Sequence, residues 1–285
     1  MTKAILIVIA ALMLLLLLRA DPSNAEPAVN LRTLLASPVD LTLYSPDRKL
    51  VIGHARYTIK EDGKTVEIIG ETHYASGERD WERVMMEHQA GNPLPVVTSF
   101  QGNFMNRNDS PQLREKAEFK SGQASCTWSN EIDDSHYEDA LDFPPDTYVG
   151  AASVVPLEYA LKKGESSVRF HVFDCTPKPS IFTVDAKLEN GIARWSYYPG
   201  ELAQMGLTPD LGWLNIVARP FIPNITVWFD PGEGYQYVGS AKNRYYRGLA
   251  IVLVRDNRRG RTVREEPARR PPPPGVSVDP AKTAN

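Results

Sequence analysis

Only two cysteines, Cys126 and Cys175, occur in the chain, and neither belongs to a CxxC pair. That argues against a zinc ribbon or a thioredoxin-like motif. Also missing are GxSxG, HExxH and any paired-acid signature, so no nucleophile elbow, zinc-protease helix or glycosidase pair is written here. Charge of one sign is scarce. The 32 basic and 35 acidic residues leave a net charge of -3, which argues against a nucleic-acid binder. No segment of about 20 to 50 residues recurs, which argues against a solenoid or propeller. The long apolar run, residues 4–18, has fifteen residues, short of the roughly twenty that a spanning helix needs.

That run follows Met1-Thr2-Lys3 and leads to Ser23-Asn24-Ala25, a small-x-small site. Residues 1–25 therefore read as a secretory signal peptide, and the mature chain is expected in the periplasm; the alternative is an uncleaved inner-membrane anchor. Residues 26–45 read as an N-terminal linker and 46–257 as one antiparallel β domain. The stretch 258–285 is rich in Arg, holds four successive prolines from Pro271 to Pro274, and reads as a disordered tail with a polyproline spacer. Its arginines suit an anionic membrane surface or an envelope protein, and the plainer reading is a solvated tail. An oxidising compartment makes Cys126 and Cys175 a disulfide candidate, expected on neighbouring strands. It would close a loop of about fifty residues and contribute about 4 kcal/mol through chain entropy. The alternative is two separate buried thiols.

Residues 50–75 carry the clearest pairing signal. Asp62-Gly63 suits a two-residue type I′ turn, which sets Ile59 opposite Val66, Tyr57 opposite Ile68, Ala55 opposite Gly70 and His54 opposite Glu71. Val51, Tyr57, Ile59, Val66, Ile68 and Tyr74 then share a covered face with Gly53, Ala55 and Gly70. These three small residues form a saddle where a backbone, a helix or a ligand comes close. On the polar face, His54 and Glu71 would make a surface ion pair.

Further along, Trp81, Val84, Met85 and His88 fall on one helical face, so local periodicity favours a helix near residues 80–88. A hairpin is expected about Ser121-Gly122, and residues 131–142 read as a solvated acidic loop around His136 that fails the calcium-loop pattern. Residues 144–163 read as helical, with Pro156 kinking or restarting the helix and Gly164 ending it. Strands are expected at 167–175, 181–188 and 192–198. A short helix is expected at 210–217, a hairpin about Asp230-Pro231-Gly232-Glu233-Gly234, and a buried strand at 248–255.

This order resembles a family of bacterial exported proteins of unknown function related to the lipoprotein carriers LolA and LolB. The resemblance rests on GHARYTIKEDGKTVEI, GNPLPVV, the Pro-Asp-Thr-Tyr stretch leading to LEYALKKG, and ITVWFDPGEGYQYVG. It implies a mainly β fold, a curved antiparallel sheet forming an incomplete barrel wrapped around one or two plug helices, and it turns residues 80–88 from helix to strand. It brings no catalytic residues and no cofactor. The first functional reading is a non-catalytic periplasmic carrier for a lipid or acyl chain, with Gly53, Ala55, Tyr57, Gly70, Tyr74, Tyr159 and Trp228 lining the space between plug and sheet. Phe170 is a further aromatic candidate. The second is an envelope assembly or interaction module with a solid core. The third is a hydrolase, for which no signature is found.

Overall fold

The computed structural model describes residues 38–131, 135–175, 178–189, 193–195, 198–210, 225–244 and 250–256. The regions read as signal peptide and C-terminal tail lie outside them. Alternating sequence dominates the described chain, and it forms strands. These are Val39–Tyr44 (β1), Val51–Asp62 (β2), Thr65–Tyr74 (β3), Arg79–Glu87 (β4), Val96–Met105 (β5), Pro111–Lys120 (β6), Gln123–Asn130 (β7) and Ser135–Asp142 (β8). There follow Thr147–Tyr148 (β9), the helix Val155–Lys162 (α1), Ser167–Asp174 (β10), Ser180–Leu188 (β11), Ala193–Trp195 (β12), Tyr198–Asp210 (β13), Ile225–Asp230 (β14), Gln236–Asn243 (β15) and Ala250–Arg255 (β16). One sheet runs β8-β7-β6-β5-β4-β3-β2-β1-β16-β15-β14-β13-β11-β10-β9, with β12 on β13 alone. All its pairs are antiparallel except β9 with β10. The fold is mainly β, a curved unclosed sheet with a single short α-helix among the described residues. Val39–Tyr44, inside the stretch read as a linker, forms a central strand between β2 and β16.

The hairpin of β2 and β3 keeps its expected faces but not its expected register. Its loop is Gly63-Lys64, with only Gly63 at positive φ, the pattern of a type II′ turn with Gly first. Every partner therefore moves by two residues. Tyr57 faces Gly70, Ile59 faces Ile68, Ala55 faces Thr72, and His54 faces His73 rather than Glu71. A shift of two preserves the side-chain faces. Tyr57, Ile59, Val66, Ile68 and Tyr74 accordingly stay on the inner side, but Val51 is exposed because the β1–β2 ladder slips beside Leu43 and skips Ile52. The saddle is also filled from within. A Cβ on Gly70 would lie 2.5 Å from the Tyr57 ring, so the tyrosine covers its own cross-strand glycine.

Other local readings are corrected in the same way. Residues 79–87 form a strand, in which Glu82, Val84 and Met86 face inward by period two. The inward carboxylate at Glu82 breaks the apolar alternation that would have announced a strand. Ser135–Asp142 of the acidic stretch forms the strand β8 at one end of the sheet, where charged side chains discourage pairing with another chain, and residues 132–134 lie outside the described ones. Thr208-Pro209-Asp210 ends β13 rather than capping a helix, and the rest of that expected helix lies outside the described residues. The turn at Ser121-Gly122 forms as expected, with both residues at positive φ.

The helix α1 begins after a single 3-10 stretch, Gly150–Val154, and Pro156 sits in its first turn, where a missing N–H costs nothing. Of the two expected roles, Pro156 therefore starts the helix anew rather than kinking it. Gly164 adopts positive φ and donates to the Leu161 carbonyl while Glu165 donates to that of Ala160, a Schellman ending. Val155, Leu157, Ala160 and Leu161 are buried in the main core.

The two ends of the sheet meet through side chains instead of a ladder. Phe119 of β6 makes edge-on contacts with Phe173 of β10 at 5.0 Å and with Phe143 at 5.3 Å. The Cys126 and Cys175 sulfurs are at bonding distance, with Cα atoms 6.0 Å apart, inside the range of about 4.4 to 6.8 Å that a disulfide spans. They do not sit on neighbouring strands. Cys126 lies on β7 and Cys175 follows β10, each next to an opposite end of the sheet.

Candidate functional site

Curving the sheet around one short helix leaves space on the concave side. Between α1, its 3-10 stretch and the inner faces of β10, β11 and β13–β16 lies a cavity of about 540 Å³. Its wall is almost wholly apolar, and β11, β13 and β14 contribute side chains two apart: Phe182 and Val184, Leu207 and Pro209, Ile225 and Val227. The hairpin supplies Tyr57, Ile59 and Ile68, and the helix side supplies Ala151, Val154 and Leu157. Phe182 and Ile225 are partly open to solvent and mark the rim.

A few polar groups interrupt this wall. Tyr237 Oη lies 3.0 Å from Ser240 Oγ, and burial raises the Tyr237 hydroxyl to about 12, so both groups are neutral partners. A bulge in β15 allows this, because the ladder slips between Trp228 and Phe229 and turns both Tyr237 and Ser240 inward. Lys242, two residues on, lines the same cavity. Behind the 3-10 stretch, outside this cavity, Glu82 accepts a hydrogen bond from the Ala151 N–H at 3.3 Å and pins that stretch to β4. Gly150 passes over it at φ +53°, where any side chain would collide with the Glu82 carboxylate. Burial, and then the Glu82 charge, hold the Tyr57 hydroxyl well above its ordinary range.

A smaller space of about 60 Å³ adjoins the first, lined by Tyr57, Gly70, Tyr74, Asp80, Glu82, Lys242 and Arg244 among others. Here Arg244 reaches from the end of β15 across the concave face to β4. Its Nε donates to Asp80 Oδ2 at 2.8 Å, its Nη1 to Glu78 at 3.0 Å, and its guanidinium lies 4.2 Å from the centre of the Tyr74 ring. The Tyr74 hydroxyl donates to Asp80 at 2.7 Å. Burial works against the Arg244 charge, but Asp80 outweighs it and holds the guanidinium above its ordinary pKa. This network is a strut between strands that are not neighbours.

Of the residues expected to line a ligand space, Tyr57 lines both cavities, and Gly70 and Tyr74 line the smaller. Gly53 and Ala55 are buried, Ala55 packing with Leu41, Ile251 and Leu253. Tyr159 is half-buried against the main core, with Lys163 Nζ 5.4 Å from its ring centre. Phe170 is core, edge-on to Tyr148. Trp228 points to the outer face, where it packs with Tyr198, Leu202 and Val252 and donates to Gln204 at 2.9 Å. No match to this chain is found among protein-family models, curated proteins or solved structures. Among the described residues there is no group of three or more metal-type side chains, and no helix is long and apolar enough to cross a membrane. Glu82, Lys242 and Arg244 went unseen in the sequence. The apolar alternation at Phe182-Val184-Ala186 and Ile225-Val227-Phe229 was the available signal for much of the wall.

Proposed function

We propose that this protein is an exported, non-catalytic carrier that holds an apolar ligand, a lipid or acyl chain, between α1 and the concave sheet. The observation that carries this reading is the 540 Å³ cavity with its apolar wall. Its size falls within the range of about 300 to 1,000 Å³ typical of small-molecule sites. Apolar burial at about 25 cal/mol per Å² supplies the driving force for an acyl chain, and Asp174 and Lys242 are the charged residues among those described in its wall. The signal-like segment at residues 1–25 and the resemblance to the lipoprotein carriers support export and the ligand class. The opening at Phe182 and Ile225 gives the chain an entry that does not require α1 to move. Native mass spectrometry of protein purified from the cell envelope tests the reading. The expected result is a lipid-sized adduct that is lost from a Val154→Trp variant, in which the indole occupies the cavity while far-UV circular dichroism and cooperative unfolding stay native. A bare mass for the unaltered protein, with no adduct after incubation with membrane extract, would count against it.

A further inference from the structure

We propose that the ligand is an amphiphile with an anionic head, a carboxylate or a phosphate, and that Lys242 receives the head at the cavity rim. This rests on the carrier reading and adds the charge of the ligand to it. Lys242 stands on the inner face of β15, paired with Ile251 and two residues from Ser240, and it lines both cavities. Its ammonium makes no ion pair or hydrogen bond with any described residue. The carboxylates of the smaller cavity are committed elsewhere: Asp80 to Arg244 and Tyr74, and Glu82 to the Ala151 N–H. Asp174, the other charged residue of the larger cavity, is already engaged within the protein.

Lys242 is a half-buried residue beside apolar walls whose ammonium has no partner among the described residues, and a neutral ligand would cover it without pairing it. An anion at the same place gains a short charge-assisted hydrogen bond, strengthened by low-dielectric surroundings. Lys242 follows Ala241, the cross-strand partner of Thr226, and so stands beside Ile225 at the rim. The chain of the ligand extends inward along Val227, Leu253 and Leu157, and its head remains beside Lys242 near solvent.

Displacement of the neutral apolar dye N-phenyl-naphthylamine from the purified protein separates the parts of this proposal. Competitors are palmitate, its methyl ester and lysophosphatidate, against the natural protein, Lys242→Met and Lys242→Arg. The expected result is that an anionic competitor displaces dye at about ten- to hundredfold lower concentration than the ester. Lys242→Met should abolish that advantage, read as the ratio of acid to ester potency within each variant, and Lys242→Arg should keep it. Palmitate as the stronger competitor assigns a carboxylate head, and lysophosphatidate a phosphate. Equal potency of acid and ester on the natural protein, or an anion advantage that survives Lys242→Met, overturns the inference while the carrier reading stands. Failure of the dye itself to bind overturns both.

Discussion

Glu158 is fully buried on α1, and this burial raises its carboxyl to about 8 against the opposing influence of Lys162, the Tyr237 backbone and Arg255. Lys162 Nζ lies 2.9 Å from Oε1, an ion-pair contact rather than an aligned hydrogen bond. The folded protein thus holds this proton where the unfolded chain, near 4.5, has released it. Between those values the native state binds more protons, so the contribution of this group to stability falls as pH rises from about 4.5 to about 8. The loss has an upper limit of roughly 5 kcal/mol at 1.36 kcal/mol per pH unit. Urea unfolding at pH 5 and pH 9 should show Glu158→Gln flattening this slope and exceeding the natural protein at pH 9; parallel slopes would contradict the assignment. Arg244→Met leaves the partly buried Asp80 beside Glu78 without its cation and should cost up to about 3 kcal/mol, with much of that recovered in the double variant Asp80→Asn/Arg244→Met. An exposed pair such as Arg56 with Asp40 should contribute under about 1 kcal/mol.

At the scale of elements, faces were legible and registers were not. The period of two in β2 and β3 fixes which side chains turn inward. It cannot distinguish a loop at Asp62-Gly63 from one at Gly63-Lys64, because the two differ by a shift that preserves both faces. Trp228 was illegible for a related reason. Val227, Trp228 and Phe229 are all apolar and all buried, because the sheet carries a second apolar layer on its outer face there. In β4 the inward Asp80 and Glu82 concealed the strand, and those two residues hold Arg244 and the 3-10 stretch in place. Gly150→Ala places a side chain both at positive φ and against Glu82, and should cost about 1 to 3 kcal/mol by thermal unfolding, whereas Gly63→Ala has open space and should cost only the strain of its φ. The cysteine pair was expected from two cysteines in a chain read as exported, but its place was not legible: it joins opposite ends of the sheet. A free-thiol titration after denaturation should find none, and reduction should lower the unfolding free energy by about 4 kcal/mol for a loop of this length. Two reactive thiols would exclude the bond.

For the molecule as a whole, an unclosed sheet that curls until its ends touch through Phe119, Phe173 and the cysteine pair can enclose more volume than one short helix fills. The cavity is therefore a consequence of the architecture, and its apolar wall follows from the inward alternation of the strands around it. Curvature of this kind was implied by the resemblance to the lipoprotein carriers, whereas the position of the cavity depended on which strands stood opposite α1, a long-range pairing that no local pattern contains. The central claim is that this space takes an acyl chain. Titration of the purified protein with a fluorescent fatty acid tests it most directly. Saturable one-to-one binding at micromolar concentration or below, lost in Val154→Trp, is the predicted result; the absence of saturable binding up to high micromolar concentration in a folded protein would contradict it.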